Sequence, residues 1–371
     1  MALRHRDIVP TLPDRENITA KAGKSHLIKP IVVTKRPPLD ELSNKLLDSK
    51  KPDPAKEAKE APKPVQPAKK DNPPVNKAFS SSQLPTALEN DSETCTDPQM
   101  VSEYQGDIFK YLHEMELKYP IRANFLENHK STSRMRAILV NWLIRVHENF
   151  GLCLETLHMC ISLIDRYLQD NTQVGRESLQ LVGTSALLIA CKYEEMYYPG
   201  LQDFKYICDN TFSTDEILKM EISILTALQY NLGKPLSIHF LRRYSKLADV
   251  KFEQHNLSKY LLELALLDHD MSHIRPSLQA AAACCLSIAI FSNATCPSKV
   301  WTGRLAQYSN CKYSEFKHVV VKFAKLLIAT ESSKHKSVQE KYADTKFNKV
   351  SLNPKLKGFL VKRLAETSLK V

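Results

Sequence analysis

The sequence predicts an all-α protein: two tandem bundles of about five helices, an extra helix before them and a disordered N-terminal tail. Fourteen of the 20 prolines lie between Pro10 and Pro98, and only six are spread over the following 273 residues. Beyond Pro98 apolar residues recur at helical spacing, and the sequence lacks the alternation that is typical of strands. The order of the helical segments repeats once, which suggests a duplicated domain.

Residues 1–98 form the predicted tail. The segment 50–70 consists mostly of Pro, Lys, Glu and Ala, so it has almost nothing to bury. Its prolines remove backbone donors and interrupt any helix. We therefore expect an extended tether in front of the bundles.

The extra helix and the opening of the first bundle are both amphipathic. A helix is predicted in residues 102–117, and one of its faces carries Tyr104, Ile108 and Tyr111. The apolar stripe that follows at helical spacing consists of Met135, Ile138, Leu139, Trp142, Leu143 and Val146. Such a stripe predicts a helix with one face toward a core.

The rest of the first bundle contains a helix that should be central. Residues 154–168 repeat the amphipathic pattern, and residues 179–191 are apolar on nearly every face. A helix that is apolar all round is expected to be buried among the others. Ser213, followed by acidic residues, marks the start of a further helix, which we expect to run to about Gln229.

The second bundle shows the same succession of signals. Helical patterns lie in residues 235–241, 256–267, 276–290, 301–308 and 314–328. The third of these is rich in small apolar residues and is the counterpart of the central helix in the first bundle. Sequence identity between the halves is slight, so the predicted duplication depends on hydrophobic pattern alone.

The cysteines and known motifs predict no enzyme, no metal and no cofactor. The nine cysteines include no Cys-x-x-Cys pair, and most lie in apolar helical patterns, where a thiol acts as a small buried hydrophobe. Their odd number favours a reducing compartment. The sequence also lacks a Gly-rich phosphate loop, a metal-spaced set of ligands and a Gly-x-Ser-x-Gly elbow.

The charge distribution argues against a nucleic-acid partner. The net charge is +11, but residues 1–98 carry +3 and residues 333–371 carry +7, so the excess lies at the two ends. Basic residues at the ends of a chain more often increase solubility, accept ubiquitin or contact an acidic partner than form a surface that binds DNA. The sequence has no 18-residue apolar run, and we expect no membrane partner.

Several motifs, in one order, resemble the cyclin box. The segment Met135-Arg-Ala-Ile-Leu-Val-Asn-Trp-Leu resembles the opening of the box, and the resemblance as a whole covers residues 99 to about 350. Later segments match in the family's order: Glu155-Thr-Leu-His, Ile164-Asp-Arg-Tyr-Leu, Leu179-Gln-Leu-Val-Gly-Thr, Lys192-Tyr-Glu-Glu-Met-Tyr and Lys219-Met-Glu. The segments that begin at Leu232, His239 and Lys341 resemble B-type cyclins in particular.

The resemblance implies a regulatory subunit that activates a mitotic cyclin-dependent kinase and drives the G2/M transition. The implied domains are a regulatory tail (1–98), an N-terminal box with its preceding helix (99–231), a C-terminal box (232–350) and a basic tail (351–371). By resemblance, Lys192 and Glu221 contact the kinase, together with the face of the extra helix formed by Tyr104, Ile108 and Tyr111. The alternative for the two charges is a solvated helix face.

The resemblance also singles out a charged pair inside the first bundle. Arg136 and Asp165 lie on two different amphipathic helices, where a guanidinium–carboxylate pair would lock the helices together. A structural role is the preferred interpretation, because a buried pair of this kind fixes geometry while adding little net stability.

In related cyclins an apolar patch docks Arg-x-Leu motifs of substrates. The matching residues here are Met135, Ile138, Leu139, Trp142, Arg145 and Gln180. The alternative interpretation of the apolar residues in this patch is that they pack in the core. A-type relatives carry an acid where this chain has Arg145, and Asn141 stands where the family generally has aspartate. We expect Arg145 to repel the cation of such a motif, at a cost of about 1 kcal/mol near the surface.

Three basic residues match a pocket for phosphorylated substrates or regulators in B-type cyclins. His255 and Lys259 are four apart and share a helical face, and Arg242 lies on the preceding helix. Together they suit a phosphate through charge-assisted hydrogen bonds. The alternative is that they are three unrelated surface charges.

The tail contains a match to a destruction box, which the anaphase-promoting ubiquitin ligase recognises in the family. The match Arg-x-x-Leu-x-x-Leu-x-Asn consists of Arg36, Leu39, Leu42 and Asn44. Candidate ubiquitin acceptors nearby are Lys35, Lys45, Lys50 and Lys51. The resemblance also implies movement between cytoplasm and nucleus, although the sequence has no decisive import motif.

Two other binding modules share the predicted fold. A general transcription factor of the cyclin-like type would present an N-terminal zinc ribbon, but residues 1–98 contain a single cysteine. A transcriptional cyclin is the closer alternative to the predicted mitotic cyclin. The destruction-box match and the three basic residues of the second bundle favour a cell-cycle role over it.

Overall fold

The structure is a computed structural model that describes residues 101–367. Within that range every regular element is a helix, which confirms the predicted fold class. The predicted tail and its destruction box, formed by Arg36, Leu39, Leu42 and Asn44, lie outside the described residues. None of the helices in the described range is long and apolar enough to cross a lipid bilayer.

The N-terminal half begins with a 3-10 turn at Ser102–Tyr104 and has a buried central helix. Its helices are α1 (Gln105–Lys118), α2 (Ser133–Phe150), α3 (Leu154–Leu168), α4 (Arg176–Glu194), α5 (Leu201–Ile207) and α6 (Thr214–Ala227). The central helix is α4, as predicted, and it packs against α2, α3 and α6.

Capping residues explain where these helices begin and end. The hydroxyl of Thr132 accepts a hydrogen bond from the backbone N–H of Met135 and opens α2. Ser213 and Glu216 form the reciprocal capping box that opens α6. Gly151 ends α2 at a φ of 65°, a left-handed conformation that glycine adopts without strain.

The C-terminal half is built around a second buried helix. Its helices are α7 (Ser237–Leu247), α8 (Phe252–Leu267), α9 (His269–Ser272), α10 (Pro276–Phe291), α11 (Gly303–Tyr308), α12 (Tyr313–Ala329), α13 (Ser337–Lys341) and α14 (Phe359–Glu366). The small side chains of α10 allow α7, α8 and α12 to pack around it. This is the predicted counterpart of α4.

The prediction of a basic tail after residue 350 was wrong for residues 351–367. This segment forms two 3-10 turns, at Val350–Leu352 and Pro354–Lys357, and then α14, which packs against α12. Val361 is fully buried there. The many lysines of this segment obscured its few apolar anchors, so the sequence indicated only a basic tail.

Each half is braced by a segment from the other end of the described chain. From α1, Phe109 packs against Phe240 of α7 with ring centroids 6.0 Å apart. The carboxylate of Glu116 accepts hydrogen bonds from the hydroxyl and backbone N–H of Ser277 at 2.6 and 3.0 Å. In return, α13 packs against α2. The two bundles therefore present fixed surfaces.

Candidate functional site

Lys192 and Glu221 form an ion pair between α4 and α6. Lys192 Nζ lies 2.6 Å from Oε1 and 2.9 Å from Oε2 of Glu221. The lysine side chain is 38% exposed and the glutamate side chain 9%, so the pair lies where the core meets the surface. The sequence presented them as two lone charges. The structure pairs them because α4 and α6 pack side by side.

Large apolar and aromatic side chains are exposed in the same part of the chain. Met196 and Tyr197, which follow α4, are 79% and 78% exposed. Other exposed members are Tyr193, Tyr198, Tyr206 and Ile222. Leaving this much apolar surface in water is typical of a protein interaction site. The segment that begins at Lys192 carries part of the family resemblance, but its sequence does not indicate this exposure.

The helix α1 has one face on the C-terminal half and one face in solvent. Tyr104, Ile108 and Tyr111, predicted to share a face, are all exposed. Burial alone would raise the pKa of Glu116, but hydrogen bonds from His113 and Ser277 hold that pKa below its usual value. A carboxylate that stays ionised and bonded fixes the orientation of α1.

The predicted docking patch is only partly at the surface. Met135, Ile138 and Trp142 on α2 are half-buried, as is Gln180 on α4. Leu139 is 1% exposed and belongs to the core, which corrects its assignment to the patch. A Cβ on Gly183 would lie 2.7 Å from Cδ1 of Leu139, so these two helices approach closely and bury the leucine.

Arg145 and Asn141 contact the short helix α13. Arg145 Nη2 lies 3.4 Å from Oε2 of Glu340, and the Asn141 side-chain oxygen accepts a hydrogen bond from the backbone N–H of Ser337 at 3.2 Å. The cation that was expected to repel a docking peptide therefore has a carboxylate beside it. The sequence could not indicate this pairing, because the partners are 195 residues apart.

The three basic residues of the second bundle lie within electrostatic reach of one another. Burial, Lys259 and Arg242 together lower the pKa of His255 to about 4. Burial also lowers the pKa of Lys259, whose Nζ sits 5.5 Å from the centre of the Phe347 ring. His255 Nδ1 lies 2.8 Å from Ser245 Oγ. We call Arg242, His255 and Lys259 the basic cluster.

Arg242 has an acidic neighbour from the other half of the molecule. Its Nη1 forms an ion pair with Oε1 of Glu155 on α3. Burial alone would raise the pKa of Glu155, but the hydrogen bond and charge of Arg242 lower it. The Arg242 side chain remains half exposed. The basic cluster is therefore held at the junction of the two halves with its arginine accessible.

Arg136 and Asp165 form the bidentate pair that the sequence suggested. Arg136 Nε and Nη2 donate to Oδ1 and Oδ2 of Asp165 at 2.6 and 2.7 Å, and both side chains are buried. The remaining nitrogen, Nη1, donates to the backbone carbonyl of Leu266 at the end of α8, at 2.9 Å. The pair thus joins α2, α3 and the C-terminal half, with no atom presented to a partner.

A second buried charge network was missed from the sequence. Lys341 Nζ lies 2.9 and 2.8 Å from the two carboxylate oxygens of Glu263, and the Tyr342 hydroxyl donates to Oε1 of the same carboxylate at 2.6 Å. Lys341 opens a segment that resembles B-type cyclins, and that was its only signal. The network anchors α13 to α8.

The titratable side chains of the described range have structural roles. No group of three His, Cys, Asp or Glu in residues 101–367 is placed to hold a metal. Burial raises the pKa of the Cys191 and Cys284 thiols to about 12, which keeps them protonated. Burial likewise lowers the pKa of His147 and His158 to about 4, so both rings are neutral at pH 7.

Two family models match consecutive parts of the chain. The model of the cyclin N-terminal domain matches residues 107–233, and that of the cyclin C-terminal domain matches residues 235–356. Together they cover most of the described range. The boundary between them falls in the connection from α6 to α7.

Curated relatives match over most of their length. G2/mitotic-specific cyclin-B2 of Homo sapiens is 37% identical, with 98% of both chains covered. G2/mitotic-specific cyclin-B2 of Oryzias luzonensis is 44% identical over 75% of this chain and 71% of the relative. Among solved structures, a viral cyclin from herpesvirus saimiri has a TM-score of 0.51 at 21% identity, covering 59% of this chain and 97% of that one. This last likeness concerns the fold.

Proposed function

The chain belongs to the cyclin family, among the G2/mitotic B-type cyclins, and from this premise we propose that it binds and activates a cyclin-dependent kinase at the G2/M transition. Cyclins are regulatory subunits without a catalytic centre, so the chain is not an enzyme. The proposed complex is a heterodimer in which the kinase supplies all of the chemistry.

The observation that carries this proposal is the surface around the Lys192–Glu221 pair. The pair is fixed between two packed helices, and large side chains such as Met196 and Tyr197 are exposed just after the lysine. We call the pair and the exposed side chains of Tyr193, Met196, Tyr197 and Tyr198 the kinase-binding surface. The open face formed by Tyr104 of the preceding 3-10 turn and by Ile108 and Tyr111 of α1 is proposed to extend it.

The mechanism follows from what a protein kinase needs. An active kinase pairs a strand lysine with a glutamate of its regulatory helix, so that the lysine holds the ATP phosphates. A partner that binds only the inward position of that helix shifts the population toward the active form. Moving the ratio from 1:99 to 99:1 takes roughly 5.5 kcal/mol of differential affinity. Rigid helices can supply this differential affinity through their contacts with the kinase alone.

Two further surfaces are proposed to select substrates. The half-buried Met135, Ile138 and Trp142 with Gln180 form a shallow apolar surface for Arg-x-Leu motifs, with Arg145 and its partner Glu340 at one side. The basic cluster is proposed to bind phosphorylated substrates or regulators, since the cations Arg242 and Lys259 both lie within electrostatic reach of the His255 ring. A dianion would relieve their mutual repulsion.

The tail is proposed to control the lifetime of the complex. The destruction-box match formed by Arg36, Leu39, Leu42 and Asn44 would be read by the anaphase-promoting ubiquitin ligase, which would lead to removal of the chain by proteolysis. We also propose movement between cytoplasm and nucleus. Both proposals rest on the family likeness and on the sequence of residues 1–98.

The proposed function is tested by mixing the purified chain with a monomeric cyclin-dependent kinase. We expect the two to co-elute from a sizing column and histone phosphorylation to rise by at least tenfold over the kinase alone. Absence of both co-elution and activation would overturn the proposal. Promoter DNA retained by the chain instead would favour the transcription-factor alternative.

A further inference from the structure

The C-terminal half has a groove that lies outside the surfaces proposed above. It is formed by the end of α12, the 3-10 turns at Val350–Leu352 and Pro354–Lys357, and α14, and its volume is about 220 Å³. Buried side chains anchor the segments that form it, namely Leu356 in the second turn, Val361 in α14 and Tyr260 in α8. Because these anchors belong to the core, the groove is formed before a ligand binds.

The groove exposes apolar surface to solvent. Ile328 at the end of α12 is 41% exposed, and Leu352 in the first turn is 60% exposed. Both line the groove, together with the buried Leu327 and Leu356. Sites for small molecules usually measure about 300–1,000 Å³. This groove is smaller, and its size and apolar lining suit a single large apolar side chain.

Lysines surround the groove. Among residues 101–367, Glu331 is the one carboxylate that lines it, and Lys357 Nζ lies 2.8 Å from its Oε1. The hydrogen bond and charge of Lys357, together with the charges of Lys362 and Lys336, hold the pKa of Glu331 below its usual value. Three ammonium groups thus act on one carboxylate, and the positive charge beside the groove exceeds the negative charge.

We propose that this groove binds an acidic peptide segment of another protein and takes up one large apolar side chain of that segment. Carboxylates on either side of the apolar residue would meet the lysines in the way that Glu331 already meets Lys357. Such charge complementarity guides association and selects among partners. We call the site the lysine groove, and its members are Ile328, Glu331, Leu352, Lys357 and Lys362.

The shape of the lysine groove favours a peptide over an anionic membrane. A membrane accepts apolar side chains that project from a protein surface. Here the apolar surface lines a recess, which accepts a side chain from outside. The proposal is independent of the kinase-binding surface, which lies in the N-terminal half, so either can fail without the other.

A short peptide and the full-length chain provide the test. The probe is the fluorescein-labelled peptide Gly-Asp-Glu-Asp-Leu-Asp-Glu-Asp-Gly, and its binding is followed by fluorescence anisotropy. We expect saturable binding that weakens as salt is added. Replacing the leucine of the peptide by alanine should weaken binding about tenfold, because the apolar contact is lost. Equal binding without the leucine, or no saturable binding at all, would overturn the proposal.

Two substitutions in the chain should change the affinity in opposite directions. Glu331→Gln removes the carboxylate that competes for Lys357 and should tighten binding about threefold. Lys362→Glu replaces an exposed cation of the groove by an anion and should weaken binding about fivefold. The matched control is Lys130→Glu, at an exposed lysine of the N-terminal half, which changes the net charge equally and should leave the affinity unchanged.

The variants and a vesicle experiment also give the results that would refute the lysine groove. Equal losses of affinity in Lys362→Glu and Lys130→Glu would show that the peptide follows net charge and not a site. Sedimentation with vesicles of equal amounts of phosphatidylcholine and phosphatidylserine tests the membrane alternative. If the chain sediments with the vesicles, Lys362→Glu abolishes this, and the peptide does not compete, the lysines serve a membrane and the peptide proposal is wrong.

Discussion

Arg136 shows how one side chain links both halves of the molecule. Its guanidinium donates to the Asp165 carboxylate and to the carbonyl of Leu266, so three helices converge on one buried cation. The desolvation of both charges offsets much of their attraction. The pair therefore mainly fixes the geometry of the helices. The chain loses stability when one partner is removed, because the other charge then stays buried without a counter-charge.

Asp165→Asn should strongly destabilise the chain. The substitution leaves Arg136 buried beside a neutral amide, and breaking a buried pair in this way costs about 3–5 kcal/mol in the free energy of unfolding. Urea denaturation followed by far-UV circular dichroism measures it. The matched control is Asp170→Asn, which removes the exposed partner of Arg122 and should cost less than about 1 kcal/mol. Equal effects of the two substitutions would contradict a buried pair.

Buried histidines should make the chain sensitive to acid. His147 and His158 have pKa values lowered to about 4, chiefly by burial, against an ordinary value of 6.5. The unfolded chain therefore binds more protons than the folded chain between these limits, and stability falls as the pH falls. Between pH 7 and pH 5 we expect a loss of about 1–2 kcal/mol for each histidine.

Nuclear magnetic resonance titration measures the two histidines directly. The ring signals of His147 and His158 should not shift above pH 5. Unfolding by urea at pH 7, 6 and 5 gives the corresponding stability. Titration of either buried ring near pH 6.5 would show that burial does not hold it neutral.

At the scale of helices, periodicity predicts the long elements and fails for the short ones. The start of α6 at Ser213 and the whole of α3 follow from capping and apolar spacing in the sequence. In contrast α5, α9 and α13 have seven residues or fewer, too few to show a period. Packing against larger helices stabilises them, and no local signal in the sequence reports it.

The placement of α13 changes what is expected of the docking patch. Glu340 brings a carboxylate to Arg145, so the cation is partly neutralised where a peptide would approach. The sequence alone predicted repulsion, because a pairing across 195 residues is fixed only by the tertiary structure. The charge that residue 145 presents to a peptide thus depends on a helix from the opposite end of the described chain.

Glu340→Gln should weaken docking of an Arg-x-Leu peptide, because it leaves the Arg145 cation without its partner. The loss should be several-fold, equivalent to about 1 kcal/mol near the surface. Arg145→Glu should strengthen docking for the converse reason. Isothermal calorimetry with one peptide provides the comparison, and Glu331→Gln, from the exposed pair with Lys357, is the matched control. Tighter docking by Glu340→Gln would refute this role.

Across the whole molecule, the segments α1 and α13 hold the two bundles together. The first binds the C-terminal half through Glu116 and Ser277. The second is anchored by Lys341, whose ammonium meets the Glu263 carboxylate in the interior. The sequence predicted two bundles but not this exchange, because it depends on contacts between residues that are far apart along the chain.

Lys341→Met should loosen both halves together. The substitution leaves Glu263 as a buried carboxylate with Tyr342 as its remaining partner, at a cost of about 3–5 kcal/mol. Hydrogen exchange should become faster in α2 as well as in α8, since α13 bridges them. Lys357→Met, at an exposed ion pair, is the control. Faster exchange confined to α13 would show that the bridge is local.

Calorimetric measurement of the affinity for a monomeric cyclin-dependent kinase tests whether the surface around Lys192 and Glu221 binds the kinase. The informative variant is the exchange Lys192→Glu with Glu221→Lys, which keeps an ion pair inside the chain but reverses the charges offered to a partner. The control is the same exchange at Glu331 and Lys357. We predict at least a tenfold loss of affinity, about 1.4 kcal/mol, for the first exchange alone. Unchanged affinity would contradict the assignment of this surface to the kinase.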